Sequence, residues 1–168
     1  MLYKQIDIPC SPLTEVPQAP SYQNWYWYKR YPVSRFSFPF KTWLNSKGLI
    51  YTRLNCILFY AHPNSDTSIH TDQVVEFSWA MNIVLGDAPI SMSWYETAGA
   101  GTHQQDSLNY NIHDPQTSTL IDSCTLKSTI VRIDIPHKSE NKSEVGSWVL
   151  SIRQYPMKID WNGICDLF

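Results

Sequence analysis

The chain has 168 residues, of which 14% are aromatic and 17% are charged, and its formal net charge is −2 at pH 7. A length of this order predicts a single domain, 1–168, that is long enough to bury a core. The weak negative charge provides no basic field and argues against nucleic acid as a partner. The one basic cluster, Lys29, Arg30 and Arg35, lies among aromatic residues and is typical of a solvated face.

Four scattered cysteines form no C-x-x-C pair, which argues against a zinc knuckle or a thioredoxin-type site. The first residues, 1–7, lack the apolar run of a signal peptide, and no apolar stretch approaches the roughly 18 residues that cross a bilayer. These features predict a cytoplasmic protein with reduced thiols and no membrane association.

The N-terminal residues 1–48 predict an aromatic-rich extension, irregular or short-helical, ahead of a β core at about 49–155. Residues 3–9 alternate weakly and end at a proline, as an edge strand does. Residues 22–40 are dense in Trp, Tyr and Phe, which favour a packed flap and also suit a substrate-contact surface. Residues 41–46 predict a short turn of helix.

From residue 49 onward, short runs of β-forming residues alternate with turn residues, and long amphipathic helices are missing. The predicted strands are 49–60, a short strand that ends at His70, 77–85, 90–95, 108–113, 118–121, 128–135 and 147–153. A glycine-rich loop is predicted at 98–103. This pattern predicts a mainly β protein built as an antiparallel sandwich or barrel.

The motif His70-Thr71-Asp72 is the first candidate for chemistry. On extended backbone, His70 and Asp72 project from the same side of a strand and Thr71 projects from the other. An imidazole nitrogen and a carboxylate oxygen can then converge, and a second histidine would complete a triad of two His and one carboxylate that suits non-haem Fe(II). A bare His-x-Asp also occurs as two solvated polar residues in a loop, so the rest of the chain must supply the third ligand.

His137 is the best candidate for that third ligand. It follows a predicted strand in which the odd positions Val131, Ile133 and Ile135 are apolar, so a period of two directs His137 inward. The other histidines, His62, His103 and His113, fall in predicted turns or loops and are interpreted as solvated.

Two predicted strands have one large apolar face and one small or polar face. In 78–85 the apolar face carries Trp79, Met81, Ile83 and Leu85, whereas the other carries Ser78, Ala80, Asn82 and Val84. The strand 147–153 repeats this division, with Val149, Ser151 and Arg153 on its second face. Such strands predict a sheet whose back packs on another layer and whose front lines a cavity. A buried Arg153 would need an anionic partner; an edge-strand Arg paired with a surface acid is the alternative.

The order His70-x-Asp72, then His137, then Arg153 resembles the pattern of Fe(II)- and 2-oxoglutarate-dependent oxygenases, across roughly 49–155. The run Phe59-Tyr60, followed by a turn and His70, is similar to the prolyl-hydroxylase-like members. The resemblance implies a core folded as a double-stranded β-helix, a jelly roll of the cupin-like type.

The resemblance also implies roles for individual residues. His70, Asp72 and His137 would be catalytic residues that bind Fe(II), and Arg153 would form a salt bridge with the distal carboxylate of 2-oxoglutarate. Secondary contacts to this co-substrate would come from Tyr60 and Asn82. Asn141 would fix the loop that carries the distal histidine.

The implied activity is a dioxygenase that uses O2 to hydroxylate an unactivated C–H bond of a small molecule, an amino-acid derivative or a peptide. The segments 25–40 and 98–103 would act as lids, and the oligomeric state is left open. Two alternatives remain: a non-catalytic, cupin-like binding or structural protein, and a jelly-roll isomerase or epimerase that uses His and Asp as acid and base. The chain lacks the Arg/Lys cluster with which such an epimerase would bind a nucleotide diphosphate.

Overall fold

The computed structural model describes residues 1–21, 27–72, 79–105, 109–154 and 158–168. This described part is mainly β, and two antiparallel sheets form a β-sandwich. The strands are β1 (Tyr3–Gln5), β2 (Trp27–Arg30), β3 (Cys56–Ala61), β4 (Ser65–Asp66), β5 (His70–Asp72), β6 (Trp79–Leu85), β7 (Ile90–Thr97), β8 (Thr102–Gln105), β9 (Asn109–Ile112), β10 (Ser118–Thr125), β11 (Ser128–Arg132), β12 (His137–Asn141) and β13 (Ser147–Arg153). The α-helices are α1 (Phe38–Ser46) and α2 (Trp161–Asp166), and short 3-10 helices lie at Val33–Arg35 and Pro115–Thr117.

The first sheet has the strand order β1-β11-β6-β13-β3-β2, and the second has the order β10-β7-β12-β5-β9-β8, with β4 also paired to β12. The chain changes sheet between β3 and β4, between β5 and β6, between β6 and β7, and at each step from β10 to β13. β1 and β2 extend the first sheet at its two edges. Of the helices in the described residues, none combines the length and the apolar character needed to span a bilayer.

The first sheet has the two unlike faces that the sequence predicts. Its outer face carries Trp79, Met81 and Leu150, which pack with N-terminal residues such as Phe40 and with Ile164 of α2. The covering layer on this face is therefore made by the two terminal segments. The inner face carries smaller residues that meet side chains of the second sheet in a separate cluster, which includes Ala80, Val131, Val149, Met92 and Trp94.

The helix α1 is specified by local sequence. The hydroxyl of Ser37 accepts a hydrogen bond from the backbone N–H of Phe40 at 3.2 Å, and Pro39 occupies the first turn, where its missing N–H costs nothing. Phe40 and Leu44, four residues apart, lie on one face and are buried. Gly48 ends the segment with a φ of +67°, a conformation that glycine adopts without strain.

Several predicted boundaries differ from the observed elements. The strand predicted at 49–60 begins only at Cys56, because Asn55 closes a turn that precedes it. The strand predicted at 128–135 ends at Arg132, and a separate strand, β12, then begins at His137. β8 occupies the end of the predicted loop 98–103. Parts of the predicted strands 77–85 and 108–113 and of the aromatic stretch 22–40 lie outside the described residues.

Candidate metal centre

The pairing of β5 with β12 brings the two candidate histidines together. His70 and His137 lie directly opposite each other across this antiparallel pair, and their ring centroids are 4.4 Å apart. Asp72 lies two residues after His70 and therefore on the same face of β5. One nitrogen from each imidazole and one carboxylate oxygen of Asp72 all lie within 4.8 Å of one another.

Backbone hydrogen bonds fix which nitrogen of each imidazole is directed toward the other two residues of the cluster. Nδ1 of His70 lies 2.8 Å from the carbonyl oxygen of Ser68, and Nδ1 of His137 lies 2.8 Å from that of Ile135. A carbonyl oxygen only accepts, so each Nδ1 carries the proton and donates it. In a neutral ring, Nε2 is then an unprotonated nitrogen with a lone pair available to a metal ion.

Asp72 is held as a carboxylate by the arginine that the sequence singled out. The side chains of Asp72 and Arg153 are only 12% and 13% exposed, and Nη1 of Arg153 donates a hydrogen bond to Oδ2 of Asp72. Burial is the largest single influence and opposes ionisation of the carboxyl group, but the charges of Arg153, His137 and His70 and the hydrogen bond from Arg153 together outweigh it, so the pKa of Asp72 lies below its ordinary value. The other oxygen, Oδ1, lies 3.8 Å from Nε2 of His70.

His137 is 3% exposed, and its environment favours the neutral ring. Burial, followed by the nearby charge of His70, lowers the pKa of His137 from 6.5 to about 3, although Asp72 acts in the opposite direction. A neutral imidazole is the form that binds a metal ion, so His137 needs to lose no proton to do so near neutral pH.

The metal-free protein is expected to lose stability in mild acid because of His137. Between its ordinary pKa of 6.5 and its folded value of about 3, the unfolded chain binds a proton that the folded chain does not, so the free energy of unfolding falls as the pH falls through this window. In H137Q this slope should decrease by up to about 1.4 kcal/mol per pH unit. Urea denaturation of the native protein and of H137Q at several pH values between about 3 and 6.5 measures this slope. Equal slopes for the two proteins would contradict the lowered pKa of His137.

The three residues line a cavity of about 510 Å³ between the two sheets. The cavity wall is mainly apolar, with neutral polar groups between the apolar ones. Its described lining includes Phe59, Ala80, Ile90, Met92, Leu126, Ile133 and Val149, the polar residues Thr67, Ser68, Asn82, Ser139 and Ser151, and Tyr110. The inner faces of β6 and β13 thus line the cavity, as their residue pattern predicts.

Of the residues predicted to contact a co-substrate, Arg153 and Asn82 line the cavity and Tyr60 does not. Tyr60 lies on the outer face of the first sheet, where its ring packs edge-on against Trp148 with centroids 5.0 Å apart. The expectation that Tyr60 contacts 2-oxoglutarate in the cavity is therefore wrong. Successive residues of a strand face opposite sides, so in β3 Phe59 is the residue that faces the cavity.

Two aromatic residues of the site, Phe59 and Tyr110, are not predicted as site residues from the sequence. The Phe59 ring lies 5.9 Å from the guanidinium carbon of Arg153, within the range of a cation–π contact. Tyr110, which pairs with Asp72 across β5 and β9, meets the His70 ring edge-on at 5.8 Å. The period of two along β3 could have identified Phe59, whereas Tyr110 depends on a strand register that the sequence does not display.

Two of the remaining histidines, His113 and His62, differ from the expectation that they are solvated. His113 is buried, and its two ring nitrogens lie 2.9 Å from Oγ1 of Thr71 and 3.2 Å from Oγ1 of Thr97. His62 is buried as well, and among the described residues its Nε2 has no hydrogen-bond partner. The side chain of His103 lies outside the described residues.

Asn141 is buried, and its amide ties together segments on either side of β12. Its Nδ2 donates to the carbonyl oxygens of Ala61, His62 and Val145, and its Oδ1 accepts from the backbone N–H of Ser143. These contacts fix the end of β3 and the turn before β13. Of the two segments expected to act as lids, the residues whose side chains are described, 30–40 and 98–102, do not line the cavity.

No protein-family model matches the chain, and no curated protein matches it in sequence. Among solved structures, the chain is similar to E. coli ycfD, with a TM-score of 0.39 and 14% identity over 66% of this chain and 27% of that chain. It is also similar to Peruvianin-I, a cysteine peptidase from Thevetia peruviana latex, with a TM-score of 0.42 and 14% identity over 83% and 69% of the two chains. A third similar structure is hydroquinone 1,2-dioxygenase PnpCD in complex with Cd2+ and 4-hydroxybenzonitrile, with a TM-score of 0.32 and 11% identity over 60% and 58%. These similarities are too weak to assign the chain to a family or an activity.

Proposed function

We propose that this protein is a non-haem Fe(II)- and 2-oxoglutarate-dependent dioxygenase that hydroxylates a C–H bond of a small molecule, an amino-acid derivative or a peptide. The observation that carries the proposal is the convergence of donor atoms of His70, Asp72 and His137 within 4.8 Å of one another in the lining of a cavity. Two imidazoles and one carboxylate form the facial triad typical of Fe(II) oxygenases, which leaves coordination positions for other ligands.

The residues present fit a divalent metal ion. Each imidazole donates through Nδ1 to a backbone carbonyl, which leaves its Nε2 for the site, and the pKa of Asp72 lies below its ordinary value. The three donors come from adjacent, hydrogen-bonded strands. The hydrogen bonds from each Nδ1 to a backbone carbonyl are the kind of support that metal-binding histidines receive. The proposal names iron because two His and one carboxylate with open positions form the facial triad of non-haem Fe(II) oxygenases.

The strand pairing supports a double-stranded β-helix as the underlying fold. β3 pairs with β13, β5 with β12, β6 with β11 and β7 with β10. The strands β3, β5, β6 and β7 thus pair in reverse order with the last four strands, β10 to β13. These four pairs alternate between the two sheets. A long hairpin whose two arms wind together in this manner is the jelly-roll arrangement.

Polar atoms without a partner mark where 2-oxoglutarate would bind. Within the described residues, Nε of Arg153 and Oγ of Ser151 are buried without a hydrogen-bond partner, and both residues line the cavity from β13. Leaving such groups unpaired is costly, so a carboxylate that accepts from both would be stabilised. Asn82, which pairs with Ser151 on the adjacent strand, would add a contact from the same wall.

The chain's own residues would then have separate tasks. His70, Asp72 and His137 bind the iron, Arg153 and Ser151 orient the keto acid, and apolar residues such as Met92 and Val149 exclude water. When bound, iron and 2-oxoglutarate supply the activation of O2 that hydroxylation requires. Arg153 is the sole Lys or Arg among the described lining residues, which disfavours an epimerase acting on a nucleotide diphosphate.

The proposal is tested by adding Fe(II) and then 2-oxoglutarate to the protein without oxygen. We expect binding of one Fe(II) per chain and a new visible charge-transfer band when 2-oxoglutarate is added, followed by conversion to succinate when oxygen is admitted. Succinate and CO2 are measured directly. A non-catalytic binding protein would give no succinate, and a protein that binds no Fe(II) would contradict the proposed function.

A further inference from the structure

We propose that Arg153 is a positioning residue for the metal ligand Asp72 and is required for tight metal binding before any co-substrate is present. This inference rests on the proposed metal site. Nη1 of Arg153 donates to Oδ2 of Asp72, while Oδ1 of the same carboxylate faces Nε2 of His70 at 3.8 Å. The two carboxylate oxygens thus have different partners, and the arginine leaves one of them to the metal.

Arg153 is itself held firmly at the end of β13. Its backbone N–H donates to the carbonyl oxygen of Asn55 at 2.9 Å, and its own carbonyl accepts from Nδ2 of Asn55 at 3.0 Å. Asn55 is 1% exposed and also accepts from the backbone N–H of Thr52 at 2.7 Å. The Phe59 ring lies beside the guanidinium. A side chain anchored in this way can fix the rotation of the carboxylate that it holds.

Asp72 is the ligand that most needs such support. The two histidines are each oriented by a backbone carbonyl, whereas the described hydrogen bonds to the Asp72 carboxylate come from Arg153. Without this contact the carboxylate would rotate among several orientations, and metal binding would have to select one of them. Partners that orient metal ligands are commonly worth 10–100-fold in metal affinity.

The sign of the effect separates positioning from simple electrostatics. A guanidinium next to a divalent cation repels it, so removing the charge should tighten metal binding if charge alone matters. If Arg153 positions Asp72, removing it should weaken metal binding instead. If Arg153 only anchors 2-oxoglutarate, its removal should leave metal affinity unchanged when that co-substrate is absent.

The experiment titrates Co(II) alone into the metal-free protein, without 2-oxoglutarate, and follows binding by calorimetry and by the visible Co(II) absorption. R153Q is expected to bind Co(II) about 10–100-fold more weakly, with a changed absorption band. R153K retains the charge but not the planar fork, so its affinity should lie between those of R153Q and the native protein. R132Q is the matched control, because Arg132 forms a similar pair with Asp134, Nε to Oδ1 at 2.7 Å, away from the cavity.

Equal or tighter Co(II) binding by folded R153Q would overturn the inference. If R153Q does not fold, the test depends on R153K. A Co(II) affinity and a Co(II) absorption band equal to those of the native protein would then overturn the inference. Normal Co(II) binding by R153Q with loss of 2-oxoglutarate binding would refute the positioning role while leaving the proposed function intact. Failure of the native protein to bind Co(II) would instead refute the metal site itself.

Discussion

Asp72→Ala is expected to abolish stoichiometric metal binding, weakening affinity for Fe(II) by more than about 100-fold, since even partners outside the coordination sphere contribute 10–100-fold. The substitution removes the carboxylate from the three-residue cluster. It also leaves the guanidinium of Arg153 beside the two imidazoles without its anionic partner, where it repels a cation. Anaerobic Fe(II) titration, with metal content measured after desalting, gives the result.

Asp134→Ala is the matched control for this experiment. Its carboxylate accepts hydrogen bonds from Arg132 and is more exposed than that of Asp72, so its loss alters the net charge equally without touching the cavity. Because the unpaired Arg153 is expected to destabilise the fold, binding is compared only at temperatures where both variants are folded. Metal content in Asp72→Ala equal to that of the control would show that the metal is bound elsewhere.

The sequence predicts the candidate site well where the site depends on strand periodicity. His70 and Asp72 share a face because they are two residues apart on extended backbone, and both line the cavity. The inward face of β13 was predicted on the same basis, and Arg153 does find a buried carboxylate as its partner. No long-range information is needed for these relations, since each concerns neighbours within one strand.

His137 lies inside as predicted, but for a different reason. From the sequence, the alternation of Val131, Ile133 and Ile135 predicts an inward His137 only if one strand continues through Pro136. In the structure β11 ends at Arg132 in the first sheet, and His137 begins β12 in the second. The register of β12 against β5 places the histidine, and that register is set by contacts between strands distant in sequence.

The strand β12 escaped prediction because its composition is polar. Its residues His137–Asn141 contain no β-branched or large aromatic side chain, so local propensity does not indicate a strand. Pairing with β4, β5 and β7 makes up for this low strand propensity, because backbone hydrogen bonds form whatever the side chains are. The same reasoning applies to α2, a six-residue helix too short to be stable alone, which packs Ile164 and Cys165 on the first sheet.

Trp79→Ala is expected to lower the free energy of unfolding by about 3–5 kcal/mol, the usual cost of removing a large buried side chain. The Trp79 side chain is fully buried on the outer face of the first sheet, and its indole N–H donates to the carbonyl oxygen of Ile159 at 2.8 Å. The substitution removes both the packing and the bond that attaches the C-terminal segment. Urea denaturation of the metal-free protein measures the loss.

The same variant tests whether the two faces of the sheet have separate functions. Ala80, the next residue along β6, lines the cavity, whereas Trp79 does not. Metal affinity of folded Trp79→Ala should therefore equal that of the native protein, in contrast to Asp72→Ala. Trp161→Ala, at a half-buried tryptophan of α2, is the matched control and should cost less stability. A marked loss of metal affinity in folded Trp79→Ala would mean that the outer layer shapes the metal centre, because disturbance of that layer would then reach His70, Asp72 and His137 through the sheet.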